Sequence, residues 1–369
     1  MLLISLLLFA GLVLSGFLVL RFNPVFGRQA PPEKRAVFEQ SRNYAAGRFM
    51  NQVETLMDTS AGSMFSMLKE YFKGNPNRRP REAIPIKSLP AVGRKESASA
   101  GQPQITWLGH SALFLELDGK KILLDPMLGT APSPFPWFGN QRYSKKLPFA
   151  IEQLPWIDAV ILSHDHYDHL DYPSIQRLKD QVGHFFVPLG VGSHLERWGI
   201  KKELITEHDW WEESDLGGIR LTAAPARHFS GRSVNDRNRT LWCSWVIRGR
   251  EAHIFFSGDS GYGPHFQEIG EKYGPFDLTL MECGQYDERW STIHMMPEET
   301  VQAHVDVQGR LLLPIHWGAF TLGFHDWTDP VERVTKAAKP RGIAVATPQI
   351  GEPVPIGTAS YPASAWWRG

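Results

Sequence analysis

Apolar positions along this chain follow three different rules. From Met1 to Leu20 they run almost without interruption, broken only by Ser and Gly and carrying no side-chain charge; a run of this length can cross a bilayer core. Between residues 57 and 72 the spacing changes to steps of three and four. Met57, Ala61, Met64, Phe65, Leu68 and Phe72 then share one face of a helix. From residue 104 onward, short apolar runs alternate with longer amphipathic ones. Strands are expected near Gln104–Trp107, Leu113–Leu117, Lys121–Leu124, Ala159–Leu162, His184–Pro188, Ile219–Ala223, Trp242–Ile247, Ala252–Phe256, Leu278–Met281 and Leu311–Pro314. Helices are expected near Tyr172–Gln181, Gly190–Trp198, Pro264–Tyr273, Pro297–Val307 and Asp329–Ala338, the first with Pro173 in its opening turn. This mixed order predicts a layered α/β domain.

Polar residues at the ends of four of these strands carry the chemistry. After Ala159–Leu162 comes Ser163-His164-Asp165-His166-Tyr167-Asp168-His169-Leu170-Asp171, in which His164, His166, Asp168 and His169 put four liganding groups into six positions. Neutral imidazole and carboxylate oxygen hold zinc or a similar divalent ion at about 2.0–2.2 Å. In an extended loop His164 and His166 fall on one side and can share one ion, while Asp168 and His169 can reach a second. A polar loop rich in His and Asp is the plainer account, but it does not explain so dense a spacing. A two-metal site needs further ligands. His228, in Pro225-Ala226-Arg227-His228, Asp259, in Ser257-Gly258-Asp259-Ser260-Gly261, and His316, in Pro314-Ile315-His316-Trp317-Gly318, each close a short apolar run.

Together these residues resemble the metallo-β-lactamase superfamily of binuclear metallohydrolases over roughly Gln104 to Gln349. The resemblance implies a four-layer α/β/β/α sandwich, here with an N-terminal membrane segment, and metals at one rim of its two sheets. Carried over, it implies that His164, His166 and His228 hold one metal, Asp168, His169 and His316 the other, and that Asp259 bridges them. The flanking text is similar to the N-acyl-phosphatidylethanolamine-hydrolysing phospholipase D branch and its bacterial relatives. It comprises Trp107-Leu108-Gly109-His110-Ser111, Leu124-Asp125-Pro126, Gly258-Asp259-Ser260-Gly261-Tyr262, Tyr273-Gly274-Pro275-Phe276-Asp277-Leu278 and Ile315-His316-Trp317-Gly318. That branch releases N-acylethanolamine and phosphatidic acid from an N-acylated phospholipid. The resemblance further implies catalytic work for Asp168, orienting or deprotonating water, and for His294, assisting beside the phosphate. Imidazole suits protonation of a leaving alkoxide near neutral pH; an ordinary loop histidine before a helix is the alternative for His294. His110 and Asp125 are expected to support the ligands from behind, since a metal-bound imidazole usually gives its second N–H to a carboxylate or carbonyl. For His184, His194, His208, His253, His265, His304 and His325, surface or core packing is the expected role. Two Zn2+ are the default cofactors, with Mn2+ or Fe2+ compatible with the same donors.

Composition changes this picture little. The chain has 369 residues, 42% of them hydrophobic, enough for one large core plus an extension. Its formal net charge of +0 disfavours a nucleic-acid partner. Cys243 and Cys283 lie in apolar surroundings and indicate no disulfide scaffold. Residues 1–20 are read as an uncleaved transmembrane anchor, residues 21–100 as an amphipathic and linker extension, and residues 101–369 as the hydrolase domain. A cleaved signal peptide is the rival for the first segment, but no charged region precedes the run and no clear small-residue cleavage site follows it. Arg21, Arg28, Lys34 and Arg35 follow the anchor, which places the domain on the cytoplasmic side by the positive-inside rule.

The remaining segments bear on partners, a phospholipid substrate and the membrane itself. The Met/Phe stripe either lies on lipid, lines an acyl groove or packs on the core. Asn75-Pro76-Asn77-Arg78-Arg79-Pro80-Arg81 and Gly93-Arg94-Lys95-Glu96-Ser97 read as basic linkers. Pro132-Ser133-Pro134-Phe135-Pro136-Trp137-Phe138-Gly139 is expected to wall the cleft, touch the membrane or pack on the sandwich. Arg227, Arg232, Arg237 and Arg239 either face lipid phosphate or lie in a solvated loop. A homodimer could build a shared lipid groove. Two other classes stay open: a hydrolase of the same fold acting on a soluble lactone or phosphodiester, and a noncatalytic, metal-stabilised membrane-associated binding protein.

Overall fold

The computed structural model describes residues 2–89, 102–137 and 140–368. The basic stretch Gly93–Ser97, and Phe138 and Gly139 of the proline-rich loop, lie outside the described residues. Two seven-stranded sheets dominate. In the first, neighbours run Pro353–Pro355, Gln104–Trp107, Leu113–Leu117, Lys120–Leu124, Ile157–Ile161, Val182–Pro188 and Ile205–His208. Its pairing is antiparallel up to Lys120–Leu124 and parallel beyond. In the second, the order is Ala344–Val345, Gly309–Ile315, Phe276–Glu282, His253–Phe256, Ser244–Arg248, Ile219–Ala224 and Glu213–Leu216, parallel over the first four strands and antiparallel over the rest.

Strand alternation explains the layers. In Leu113–Leu117, residues 113, 115 and 117 enter the core between the sheets, whereas Phe114 points the other way, into a second core. Ala159 and Ile161 against Val160 divide in the same manner. Both faces of the first sheet are therefore buried, which is why its parallel strands read as continuous apolar runs. Its outer face is covered by Tyr172–Leu178 and Gly192–Arg197, through Ile175, Leu178 and Leu195. The second sheet is covered by His265–Tyr273, Pro297–Asp306 and Asp329–Ala338, through Phe266, Ile269, Val301, Val331 and Val334. The result is a four-layer α/β sandwich of helix, sheet, sheet and helix.

Several elements differ from the sequence pattern. Ile205–His208, Glu213–Leu216 and Pro353–Pro355 are strands that alternation does not mark, because each is at or next to a sheet edge where polar side chains and proline are tolerated. The strand expected from Trp242 begins only at Ser244. Leu241 and Cys243 instead donate backbone N–H groups to the carbonyls of Leu189 and Ser163, tying the loop to the other sheet.

The extension is built into the domain rather than linking it. Phe38 and Phe49 are buried with Tyr44 against the main core, beside a hairpin of Tyr44–Ala45 and Arg48–Phe49. Asn75–Arg81 is docked too: Asn75 Nδ2 donates to Asp326 at 2.7 Å, and Arg78 donates to the Gly323 carbonyl while stacking on Phe324. Two helices stand apart from this packing. Leu2–Phe22 is long and apolar, with no share of Ile4–Phe22 buried. Ala61–Lys73 carries the Met/Phe stripe from Ala61 onward, with Met57 left outside the helix, and Met64, Phe65, Leu68 and Phe72 are all exposed, so that face does not pack on the core.

Candidate metal centre

Strand ends from both sheets converge on one point. Ile157–Ile161 delivers the loop of His164 to His169, while Ile219–Ala224, His253–Phe256 and Gly309–Ile315 deliver His228, Asp259 and His316 from the other sheet. Lys120–Leu124 ends at Asp125, and His110 follows Gln104–Trp107. Asp125, His110 and His316 have φ of 38°, 56° and 67°, a left-handed backbone that side chains adopt only where surrounding structure holds them. Gly258 has φ of 55°, and a Cβ there would stand 2.6 Å from the Ser163 Cβ. Only glycine lets these two loops approach so closely.

The seven expected ligands come together in two groups. His164 Nε2 and His228 Nε2 lie 2.9 and 3.2 Å from His166 Nδ1. Donors arranged around one ion at about 2.0–2.1 Å would stand slightly over 3 Å apart. On the other side, His169 Nε2 is 3.4 Å from Asp168 Oδ2, and His316 Nε2 is 3.9 Å from the same oxygen. Asp259 lies between the groups. Its Oδ2 is 3.8 Å from His164 and from His228 and 3.0 Å from His169, and its Oδ1 is 3.0 Å from His316 Nδ1.

His169 Nε2 and Asp259 Oδ1 are buried and, although each has an ionisable neighbour at 3.0 Å, neither makes a well-directed hydrogen bond. An orphaned buried polar atom costs about 1–3 kcal/mol, and a cation between the two groups would satisfy both. The nitrogen and oxygen donor set fits zinc, and also manganese or iron.

Hydrogen bonds behind the donors orient them. Asp125, wholly buried, accepts from His169 Nδ1 at 2.7 Å and from the Ser163 amide and hydroxyl at 2.7 and 2.5 Å. The Ser163 hydroxyl is also 2.9 Å from His164 Nδ1. His228 Nδ1 meets the Ile293 carbonyl at 2.9 Å, leaving Nε2 free toward the centre. His110 Nε2 is 2.9 Å from Asp168 Oδ2 and also stands within ligand reach of the Asp168, His169 and His316 group.

Burial sets the charge states. It holds His164, His228 and His316 well below the usual imidazole range, and His166 at about 4, so these rings are neutral and able to donate a lone pair. His169 is the exception. Burial lowers it, but Asp259, Asp168 and Asp125 together hold it well above the ordinary value. Positive charge is thus favoured at the spot where three carboxylates meet. Burial pushes Asp259 up to about 6, against the pull of His169.

His294 lies at the edge of this cluster, grouped with His228 and Asp259 and stacked on His316 with ring centroids 5.1 Å apart. Its Nδ1 is 3.4 Å from Oε2 of Glu282, a wholly buried carboxylate whose other oxygen accepts from the Met295 amide. Burial raises Glu282 well above the ordinary carboxylate range. The sequence pattern does not single out Glu282, although an acid closing the apolar strand Phe276–Glu282 was a visible sign. His194 and His265 are likewise more than packing: His194 Nε2 is 3.2 Å from Asp165 in the metal loop, and His265 Nε2 is 3.0 Å from the Ser260 hydroxyl beside Asp259.

A cleft of about 240 Å³ opens onto the cluster, with His166, Asp168, Asp259, His294 and His316 as floor and Met57, Phe229, Trp290, Ile293 and Leu322 among its walls. The described part of the proline-rich loop, residues 132–137, is not among the residues lining it. Three of the four arginines near His228 hold structure instead of facing the cleft. Arg227 donates to the Glu54 and Tyr262 carbonyls, Arg232 to Val25, Asp165 and Leu170, and Arg239 to Gly47. Arg237 alone of the four stacks on the cleft wall, over the Phe229 ring at 4.0 Å.

A beta-lactamase superfamily domain model matches residues 120–317. An uncharacterized protein of Mycobacterium tuberculosis is 41% identical over 347 residues, covering 90% of this chain and 89% of that protein. An N-acyl-phosphatidylethanolamine-hydrolyzing phospholipase D of Caenorhabditis elegans is 36% identical over 231 residues, 59% of this chain and 64% of the worm protein. Among solved structures, an isothiocyanate hydrolase from Delia radicum gut bacteria superimposes with a TM-score of 0.53 at 20% identity, covering 68% of this chain and 98% of that one.

Proposed function

The chain belongs to the metallo-β-lactamase superfamily and is a metal-dependent hydrolase of that fold, and from that premise we propose that it is a membrane-anchored phosphodiesterase of phospholipase D type, acting on N-acyl-phosphatidylethanolamine. The observation that carries this reading is the cleft: a floor of metal-type donors beneath walls of Met57, Phe229, Trp290, Ile293 and Leu322. Such a cleft suits a ligand with an anionic centre and apolar arms. The similarity to the worm phospholipase and the exposed apolar helices agree with it.

In this proposal His164, His166 and His228 would hold one divalent cation and Asp168, His169 and His316 the other, with Asp259 between the two groups as a shared ligand; zinc is the default. Two such ions would supply Lewis-acid stabilisation of the phosphoryl group and a nucleophile at neutral pH. The chain's own residues do the rest. Asp168, steadied by the hydrogen bond from His110, accepts a proton at its carboxylate. His294, stacked on His316 at the edge of the cluster, gives a proton to the departing alkoxide of the ethanolamine arm. A water molecule gives one proton to Asp168 and its oxygen bonds to phosphorus as the P–O bond to that arm breaks, leaving phosphatidic acid and N-acylethanolamine. Met57, Phe229 and Leu322 keep water from the acyl side of the scissile bond.

The test is release of phosphatidic acid from N-acyl-phosphatidylethanolamine in mixed micelles by metal-loaded protein, beside the His166→Ala, Asp259→Asn double variant and a generic aryl phosphodiester. Lipid turnover that vanishes in the variant supports the proposal. Cleavage of the aryl ester alone removes the lipid assignment.

A further inference from the structure

The helix Leu2–Phe22 meets the domain at a short turn, Pro24–Phe26, that is unusually well held. The Arg197 guanidinium donates to the Arg21, Phe22 and Asn23 carbonyls at 3.1–3.2 Å, Trp198 Nε1 to the Pro24 carbonyl at 2.7 Å, and Arg232 to the Val25 carbonyl at 3.1 Å. The helix end is therefore fastened to the domain instead of hanging from a loose tether. Phe26 then meets Phe135 edge-on at 6.1 Å, and Phe135 meets Trp137 at 5.4 Å. Two ring contacts thus connect the helix end to an indole that is 80% exposed.

Pro132, Pro134 and Pro136 limit the backbone freedom of the loop that presents Trp137, and Gln141 Nε2 donates to the Pro136 carbonyl at 2.8 Å. A large ring held out in water by a restricted loop gains apolar surroundings on docking and loses little conformational freedom. The kind of surface is indicated by its neighbours. An apolar helix ends beside it, and Arg21 and Arg28 are exposed on either side of the turn, Arg21 following the helix's last aliphatic residue. Apolar helix, then arginine, then an aromatic ring is the order of a bilayer boundary crossed from acyl chains to headgroups. Indole suits that boundary, with an apolar body and a polar N–H.

We propose that the Pro132–Trp137 loop is a second membrane contact, with Trp137 seated among the headgroups of an anionic bilayer next to the end of Leu2–Phe22. This rests on the reading of that helix as membrane-embedded. A single helix leaves the domain free to tilt against the bilayer plane. A second contact beside it restricts that tilt and fixes which way the catalytic cleft faces the membrane. The loop Phe229–Arg239 carries the same fixed heading to the cleft, since Arg232 grips the helix turn and Arg237 stacks on the cleft wall.

The test uses full-length protein in vesicles of phosphatidylcholine with a minority of phosphatidylglycerol, and an environment-sensitive thiol label at Trp137→Cys. Cys243 and Cys283 are both buried, so the label goes to the introduced site. Parallel labels at Leu12→Cys, inside the helix, and at Glu251→Cys, in an exposed turn, serve as references. The expected result is a blue-shifted label at position 137, quenched by nitroxide lipids near the headgroup and shielded from iodide, with position 251 open to iodide and untouched by the lipid quencher. If position 12 is shielded and position 137 behaves like 251, the second contact is overturned while the anchor stands. If neither 12 nor 137 is shielded, the anchor reading fails and the proposal fails with it.

Discussion

Replacing Asp125 with Asn should weaken metal binding without emptying the ligand set, because the Asp125 carboxylate is engaged by His169 and Ser163 behind the seven expected ligands. Its carboxylate accepts from His169 Nδ1 and from both the amide and the hydroxyl of Ser163, and that hydroxyl meets His164. Three donors face two acceptor oxygens. An amide has one oxygen and one NH2, so whichever way Asn turns, a donor faces a donor. If the NH2 faces His169, the ring answers by accepting at Nδ1 and moving its proton to Nε2, the atom that should take the cation. Loss of such an orienting partner typically costs 10–100-fold in metal affinity, or about 1.4–2.7 kcal/mol. A further 1–3 kcal/mol of folding stability should go with the charge-assisted bonds. The assay is competition for zinc against a chelator of known affinity, with metal content read by mass spectrometry and folding by near-UV circular dichroism. Wild-type affinity in a folded Asp125→Asn protein would refute the orienting role, and with it the assignment of His169 Nε2 as a ligand atom.

Four further outcomes are expected. His294→Ala should cut kcat on the lipid by about 10²–10⁴ yet barely change turnover of an aryl phosphodiester, whose leaving group needs no proton; equal losses on both would remove the acid role. Gly258→Ala, which combines positive φ with a Cβ 2.6 Å from Ser163, should destabilise by about 2–4 kcal/mol in denaturant unfolding. Stability should fall between pH 7 and pH 5. Burial lowers His208 and His304 to about 4 and His265 to about 3, so their contribution is present above the unfolded value of about 6.5 and is lost as pH falls toward 4, by about 2 kcal/mol each at pH 5. Asp259, raised to about 6, shifts the other way by about 1.3 kcal/mol at pH 5; a flat thermal profile over that range would contradict the burial argument. Changing Met64, Phe65, Leu68 and Phe72 together to Ser should leave the melting temperature within a degree or so, since all four are exposed, but should lower turnover of vesicle-borne lipid relative to a short-chain soluble analogue, and a cooperative loss of fold would show that the stripe packs in solution.

The legible part of the site was local. His164, His166, Asp168 and His169 sit within one loop, and their crowding is visible without any fold. His228, Asp259 and His316 could be nominated because each closes an apolar run, and strand ends are where a layered α/β domain exposes chemistry. Glu282 and His194 were not nominated, because their meaning depends on what lies across from them. Glu282 reads as the end of a strand until His294 is brought to 3.4 Å from it by a different loop. His194 reads as a helical residue until Asp165 and the Arg28 amide meet its two nitrogens. Edge strands such as Glu213–Leu216 escaped notice for a similar reason: pairing with a neighbour, not side-chain pattern, makes them strands.

Periodicity and spacing by themselves pointed to a layered α/β domain, an apolar N-terminal helix and candidate donors crowded in the loop His164–His169 or closing apolar runs, while the division of those donors between two metals came from the family resemblance; hydrophobic period and local ligand density are properties of residues close together in the chain. Only the tertiary structure decided that Asp259 stands between two groups of donors, that the extension is packed into the domain while the face of Ala61–Lys73 is left in solvent, and that three arginines near His228 hold backbone carbonyls. Those are contacts between segments tens to hundreds of residues apart, and which of them form is settled by how two sheets pack face to face, a competition among burial, hydrogen bonding and shape that no single segment contains.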